Sequence, residues 1–150
     1  MPKAKKKPYR KQSFESIGIS SDTSANIYMS ILLSVAWREL TANQQRLYLY
    51  CKAQYYAEKR KPHDNPFAFT MNRSKWCNLY GLYVDTNGEG FRRDRDALIR
   101  HGFIRVIENG ETTRTKTVYE FWDMWQCWGQ SDFKVSAEDM SGSMLRKLSK

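Results

Sequence analysis

The chain has 150 residues, 41 % hydrophobic and 14 % aromatic, with a formal net charge of +9. That length fits one domain, and the aromatic load gives a small core much of its buried area. No apolar run approaches transmembrane length, and the basic N-terminus lacks the hydrophobic region of a signal peptide, so no membrane role is expected.

The charge is uneven. Lys3, Lys5, Lys6, Lys7, Arg10 and Lys11 bring +6 to residues 1–12 with no acid among them, and the remainder of the chain carries +3. An arm of this kind seeks phosphates; the plainer alternative is a disordered solubility tail. Residues 1–26 are therefore read as a mobile arm, basic and then Ser/Thr-rich. Cys51, Cys77 and Cys127 are odd in number, scattered and flanked by apolar or aromatic residues. They fit buried thiols in a reducing cytosol better than a disulfide framework. Together with His63 and His101 they match no zinc spacing, so neither a metal nor a cofactor is expected.

In chain order, residues 27–35 are apolar without a clear type, and Ser34 to Leu40 predicts a short helix. Thr41-Ala42-Asn43-Gln44 is a capping box opening a helix over 42–60. Leu47, Tyr48, Cys51 and Tyr55 recur at helical spacing on its inner face. The cations of Glu58-Lys59-Arg60-Lys61-Pro62 offset the helix dipole, and the proline ends the helix. A loop from His63 to Pro66 precedes a short strand, Phe67 to Thr70. Asn72 caps a second helix over 73–80, with Trp76, Leu79 and Tyr80 facing inward and Gly81 as its left-handed stop. The turn 82–87 leads to a third helix over 88–101. Phe91, Leu98 and one of Asp94 or Arg95 form its inner stripe, leaving Arg92, Arg93, Asp96 and Arg100 on wet faces.

Gly102 stops that helix. A strand from Phe103 to Ile107, a turn at Glu108–Glu111 and a strand from Thr115 to about Phe121 make a hairpin. Trp122, Trp125 and Trp128, three apart, fit a helical turn, with at least two of them closing the core. Residues 129–150 read as a polar, mobile C-terminal tail with one amphipathic remnant, Met144 to Leu148. The domain is thus expected over 27–128, with an α+β fold: three main helices plus a β-hairpin wing, the arrangement of a winged helix-turn-helix.

A cationic helix leading into a hairpin presents the helix to a DNA groove and the hairpin to the flanking backbone. Arg92, Arg93, Arg95 and Arg100 are the candidate groove residues, since the guanidinium fork pairs with guanine or with phosphate oxygens. Arg105, Arg114 and Lys116 are candidate backbone contacts of the wing. The plain readings are an exposed helix with ion pairs such as Arg92–Asp96, and charges that protect a sheet edge. Catalytic constellations are missing. The acids Asp94, Asp96, Glu108 and Glu111 show no paired-carboxylate spacing, and Gly88-Glu89-Gly90 lacks the rest of a phosphate-binding loop, so a non-enzymatic protein is expected.

Trp37-Arg38-Glu39-Leu40-Thr41 followed by Leu47-Tyr48-Leu49-Tyr50 resembles the opening of winged-helix proteins of bacterial plasmids, phages and conjugative elements. Leu98 with His101-Gly102-Phe103-Ile104-Arg105-Val106 is similar to their join between recognition helix and wing, and Tyr119 to Trp125 to their closing strand. The resemblance covers about residues 28–125. It implies a recognition helix at 88–101, a wing at 103–121, and a role in replication initiation or in control of a mobile element's genes. Asp85-Thr86-Asn87-Gly88-Glu89-Gly90 departs from the Ser/Thr-rich helix start of that family, and each glycine is expected to weaken the helix by about 1 kcal/mol. Two other readings stand beside DNA binding. One is a protein-interaction module, dimeric or partner-bound through Trp122, Trp125 and Trp128; the other is an RNA-binding protein.

Overall fold

The structure, a computed structural model, describes residues 25–84, 88–110 and 114–142. The arm cations Lys3, Lys5, Lys6, Lys7, Arg10 and Lys11, and the amphipathic segment Met144 to Leu148, lie outside the described residues.

Two short helices open the described chain, α1 (Met29–Leu32) and α2 (Val35–Arg38). Ser34 links them: its hydroxyl donates to the Ile31 carbonyl at 2.6 Å and accepts from the Trp37 N–H at 3.2 Å. The capping box then forms as its spacing predicts. Gln44 N–H donates to Thr41 Oγ1 at 3.3 Å, Thr41 N–H donates to Gln44 Oε1 at 2.9 Å, and α3 (Ala42–Ala57) begins. Leu47, Tyr48 and Cys51 are buried along its inner face, and Tyr55 packs against the same core. The helix ends three residues short of the expected 60. Lys61 folds back so that its ammonium donates to the Tyr55 carbonyl and, at 2.8 Å, to that of Glu58, satisfying carbonyls that a further turn would have used.

After a 3-10 turn at Pro62–Asp64 come β1 (Ala68–Thr70) and α4 (Arg73–Asn78). Asn72 Oδ1 accepts from the Lys75 N–H at 3.1 Å and starts α4. Of its three expected inward residues only Trp76 is buried. Leu79 and Tyr80 fall beyond the last helical residue, where the chain turns toward Gly81, and both are exposed. The next helix, α5 (Glu89–Arg100), buries Phe91, Asp94, Leu98 and Ile99. Gly88 lies outside it as N-cap, at φ +73°, so only Gly90 carries the helix penalty expected of both glycines.

Gly102 follows α5 at φ +83°, and a Cβ there would collide with the backbone of Met124 and Trp125. This close approach brings the chain straight from α5 into β2 (Ile104–Glu108). The return strand β3 (Val118–Phe121) is shorter than expected, because Thr115 to Thr117 close the loop instead of pairing with β2. Thr115 N–H donates to the Gly110 carbonyl at 3.0 Å, and Gly110 N–H donates to Thr117 Oγ1 at 3.1 Å. The strand β3 is central in a three-stranded antiparallel sheet of order β1-β3-β2, with Phe69 opposite Tyr119 and Arg105 opposite Glu120.

Leu47, Leu98, Ile99, Phe103 and Ile104 are fully buried where α3, α5 and the sheet meet. Edge-to-face rings of Trp37, Tyr48 and Phe103, with centroids 5.4–5.8 Å apart, bind α2 and α3 to the start of the hairpin. A 3-10 turn, Met124–Cys127, holds Trp125 and is capped by Trp128, and both pack on the core as expected for two of the three tryptophans. Part of residues 129–142 packs as well, where a mobile tail was expected. Ser136 and Asp139 form a capping box for α6 (Ala137–Ser141), which lies along β2, and Val135 and Met140 reach the core. The described fold is α+β, several helices with a small antiparallel sheet, compatible with helix-turn-helix plus wing.

Candidate nucleic-acid interface

The cations expected to contact DNA divide into three groups. Arg92, Arg95 and Lys116 meet at a cleft of about 150 Å³ between α5 and the loop entering β3. Its other cation is Arg73, at the first position of α4, and its walls include Phe91, Thr117 and Tyr119. None of the described residues that line it carries a carboxylate. Arg73 reaches the cleft because its guanidinium lies over Gly88, where any Cβ would strike it, and 5.7 Å from the centroid of Phe91. Nothing in the sequence singled out Arg73; only its place in the helix before the candidate recognition helix gave a signal. It joins the cleft through a tertiary contact.

Within this group the side chains differ. Arg92 and Lys116 are exposed. Arg95 is turned inward, its side chain 16 % exposed, 3.2 Å from Asp96 and hydrogen-bonded to the Tyr119 hydroxyl. Burial works against the Arg95 charge, but Tyr119 and Asp96 outweigh it and the net direction is upward. Arg95 thus fixes α5 to β3 and holds its charge at the cleft floor. The acid partner expected for Arg92, Asp96, is taken by Arg95.

The second group lies elsewhere on α5 or the loop. Arg93 is exposed, its Nε 3.5 Å from the buried Asp94, which also accepts from the Tyr83 hydroxyl at 2.7 Å. Arg100 is exposed in the last turn of α5, and Arg114 is exposed beside Thr115 at φ +54°. His101 caps the helix, its Nδ1 2.7 Å from the Ala97 carbonyl and its ring stacked on Trp128, which suits a helix terminus.

Arg105 stands alone as the third group. It pairs with Glu120 across the strands, lies 3.8 Å from Asp139 of α6, and sits 5.1 Å from the Trp122 ring centroid. Two carboxylates, Glu120 and Asp139, already lie against it. These contacts join β2, β3 and α6.

Among the described residues no group of His, Cys, Asp and Glu could hold a metal ion, and no helix is long and apolar enough to cross a membrane. Compared with protein-family models, with curated proteins and with solved structures, the chain matches none of them.

Proposed function

We propose that the chain binds double-stranded DNA, with α5 as the helix laid into the major groove and the β2–β3 hairpin as a wing on the backbone. The observation that carries this reading is the cleft between α5 and β3, where Arg73, Arg92, Arg95 and Lys116 converge with no acid among the described lining residues. Converging cations attract anions, and a duplex backbone offers phosphates at regular spacing. The path of the chain supports the reading too. A capped short helix, a turn, a second helix and an antiparallel strand pair follow one another, and β2 of the hairpin packs against α5.

Arg92 and Arg93 project from the N-terminal half of α5, where a recognition helix makes its base contacts. Lys116 and Arg114 flank the loop that would rest on the backbone, and the arm cations would track neighbouring phosphates or enter a minor groove. By the resemblance of its sequence, the protein acts in replication initiation or gene control of a bacterial mobile element, in the cytoplasm. The test is binding to a duplex, to single-stranded DNA and to RNA by the full chain and by Arg92→Glu with Arg93→Glu. Duplex binding that is lost in the double variant supports the proposal. Duplex binding unchanged by it, or a preference for RNA, refutes it.

A further inference from the structure

A second, larger groove, about 410 Å³, shares no residue with the basic cleft. Tyr28, Phe67, Phe121, Trp122 and Trp125 wall it, and Tyr28 and Phe67 are 64 % and 62 % exposed. Rings left this open on a small protein mark a binding surface more often than a core. Lys52, from α3, enters the groove half-buried. Its ammonium lies 4.4 Å from the Phe121 ring centroid and 5.8 Å from that of Tyr48, and among the described residues no carboxylate pairs with it. Glu120, on the groove wall, is engaged by Arg105 and by the Asn65 amide at 3.0 Å.

We propose that this groove seats a short segment of a partner protein in which an apolar side chain stands next to an aspartate or glutamate. The apolar group would lie among Tyr28, Phe67 and Trp122, and the carboxylate would sit on the Lys52 ammonium. Burial lowers the Lys52 pKa, and an arriving carboxylate would restore the charged form.

Charge decides between this occupant and two others. A nucleic acid is directed to the α5 cleft, whose described lining has four cations and no acid, whereas the groove sets Glu120 and Asp123 against Lys52 and Arg105. A second copy presenting its own exposed apolar run, Tyr28, Met29, Leu33 and Val35, would bring no carboxylate, since residues 27–38 contain none.

The test uses the full chain and a fluorescein-labelled peptide alternating aspartate with phenylalanine, followed by anisotropy and by quenching of the tryptophans. Saturable binding is expected. It should weaken by about tenfold or more when every aspartate is replaced by asparagine, the loss of one charge-assisted hydrogen bond. Lys52→Met, which keeps the apolar stem, should cause a similar loss, and Phe67→Ser, at an exposed position, should weaken binding too. Both variants should keep the wild-type affinity for duplex DNA, which separates failure here from failure of the DNA-binding reading. Equal affinity for the asparagine peptide, full binding by Lys52→Met, or no binding at all overturns the proposal. An oligothymidylate that displaces the peptide assigns the groove to nucleic acid, and a dimer dispersed by Phe67→Ser assigns it to a second copy; either overturns it as well.

Discussion

Neutralising Arg92 and Lys116 together, as Arg92→Gln with Lys116→Gln, should remove two phosphate contacts while leaving the fold in place. Both side chains are exposed, and neither helps fill the core. Each phosphate neutralised by a cation contributes about 0.9 to the slope of log K against log salt, so the slope should become shallower by about 1.8. Extrapolated from 1 M salt to about 0.15 M, each contact is worth about 0.7 log units, and the pair should weaken binding about thirtyfold at the lower salt. Titration of a labelled duplex by anisotropy over a range of salt concentrations measures both quantities. Arg105→Gln is the internal control. Glu120 and Asp139 already hold that guanidinium, so its removal should lower stability and leave the salt slope alone. A double variant with the wild-type slope, or an Arg105 variant that flattens it, would refute the assignment of phosphate contacts to the cleft.

Deleting residues 1–12 should flatten the same slope by about 5 if all six arm cations meet phosphates, and an unchanged slope would remove the arm from the interface. Gly102→Ala places a side chain at φ +83° against the Met124 and Trp125 backbone, and should cost at least about 1 kcal/mol in urea unfolding; a neutral result would contradict the close approach. Tyr83→Phe takes a donor from Asp94, which is only 1 % exposed, and should cost about 1–3 kcal/mol by the same measurement. Stability should also fall in alkali. Burial pushes the Cys51 thiol up from 9.0, and burial together with neighbouring negative charge pushes the Tyr48 and Tyr83 hydroxyls up from 10.0. Groups raised in the fold stabilise it fully below their unfolded values, and that contribution is lost as pH rises above them. Lys52, lowered by burial from 10.5, works in the opposite sense, but it is one group against three. The urea midpoint should therefore decline above about pH 9; a midpoint that held steady or rose toward pH 11 would contradict the burial of these groups.

Much of the fold was legible because local chemistry fixes it. The Thr41–Gln44 box, the Asn72 cap and the stops at Gly81 and Gly102 each act within a few residues, and helices start and stop where they predict to within about three residues. The inner faces of α3 and α5 followed from helical spacing, which left the choice between Asp94 and Arg95 open; the fold puts Asp94 inside. Expectations failed where a distant partner decides. Leu79 and Tyr80 looked apolar enough to face inward, but α4 ends before them. The stretch after Trp128 looked too polar to pack, yet the Ser136–Asp139 box builds α6, and the carboxylate of Asp139 lies near Arg105.

The candidate site shows the same division. That α5 is cationic on its wet faces was plain from residue order, since a period of 3.6 sorts Arg92, Arg93 and Arg100 away from Phe91 and Leu98. Which of those charges remain available was not. Arg95 meets Tyr119 and Asp96, and Arg105 meets Glu120 and Asp139. Arg73, by contrast, gains a place at the cleft through a contact over Gly88. By itself, the sequence determined the helices, their caps, the hairpin and the sign of the exposed charge, because these depend on neighbours along the chain. Only the tertiary structure decided that β1 pairs with β3, that Arg73 joins Arg92, Arg95 and Lys116, and that Lys52 enters an aromatic groove. The physical reason is that strand pairing and charge neutralisation depend on distance in space, and residues far apart in sequence carry no local signal of which partner they will meet.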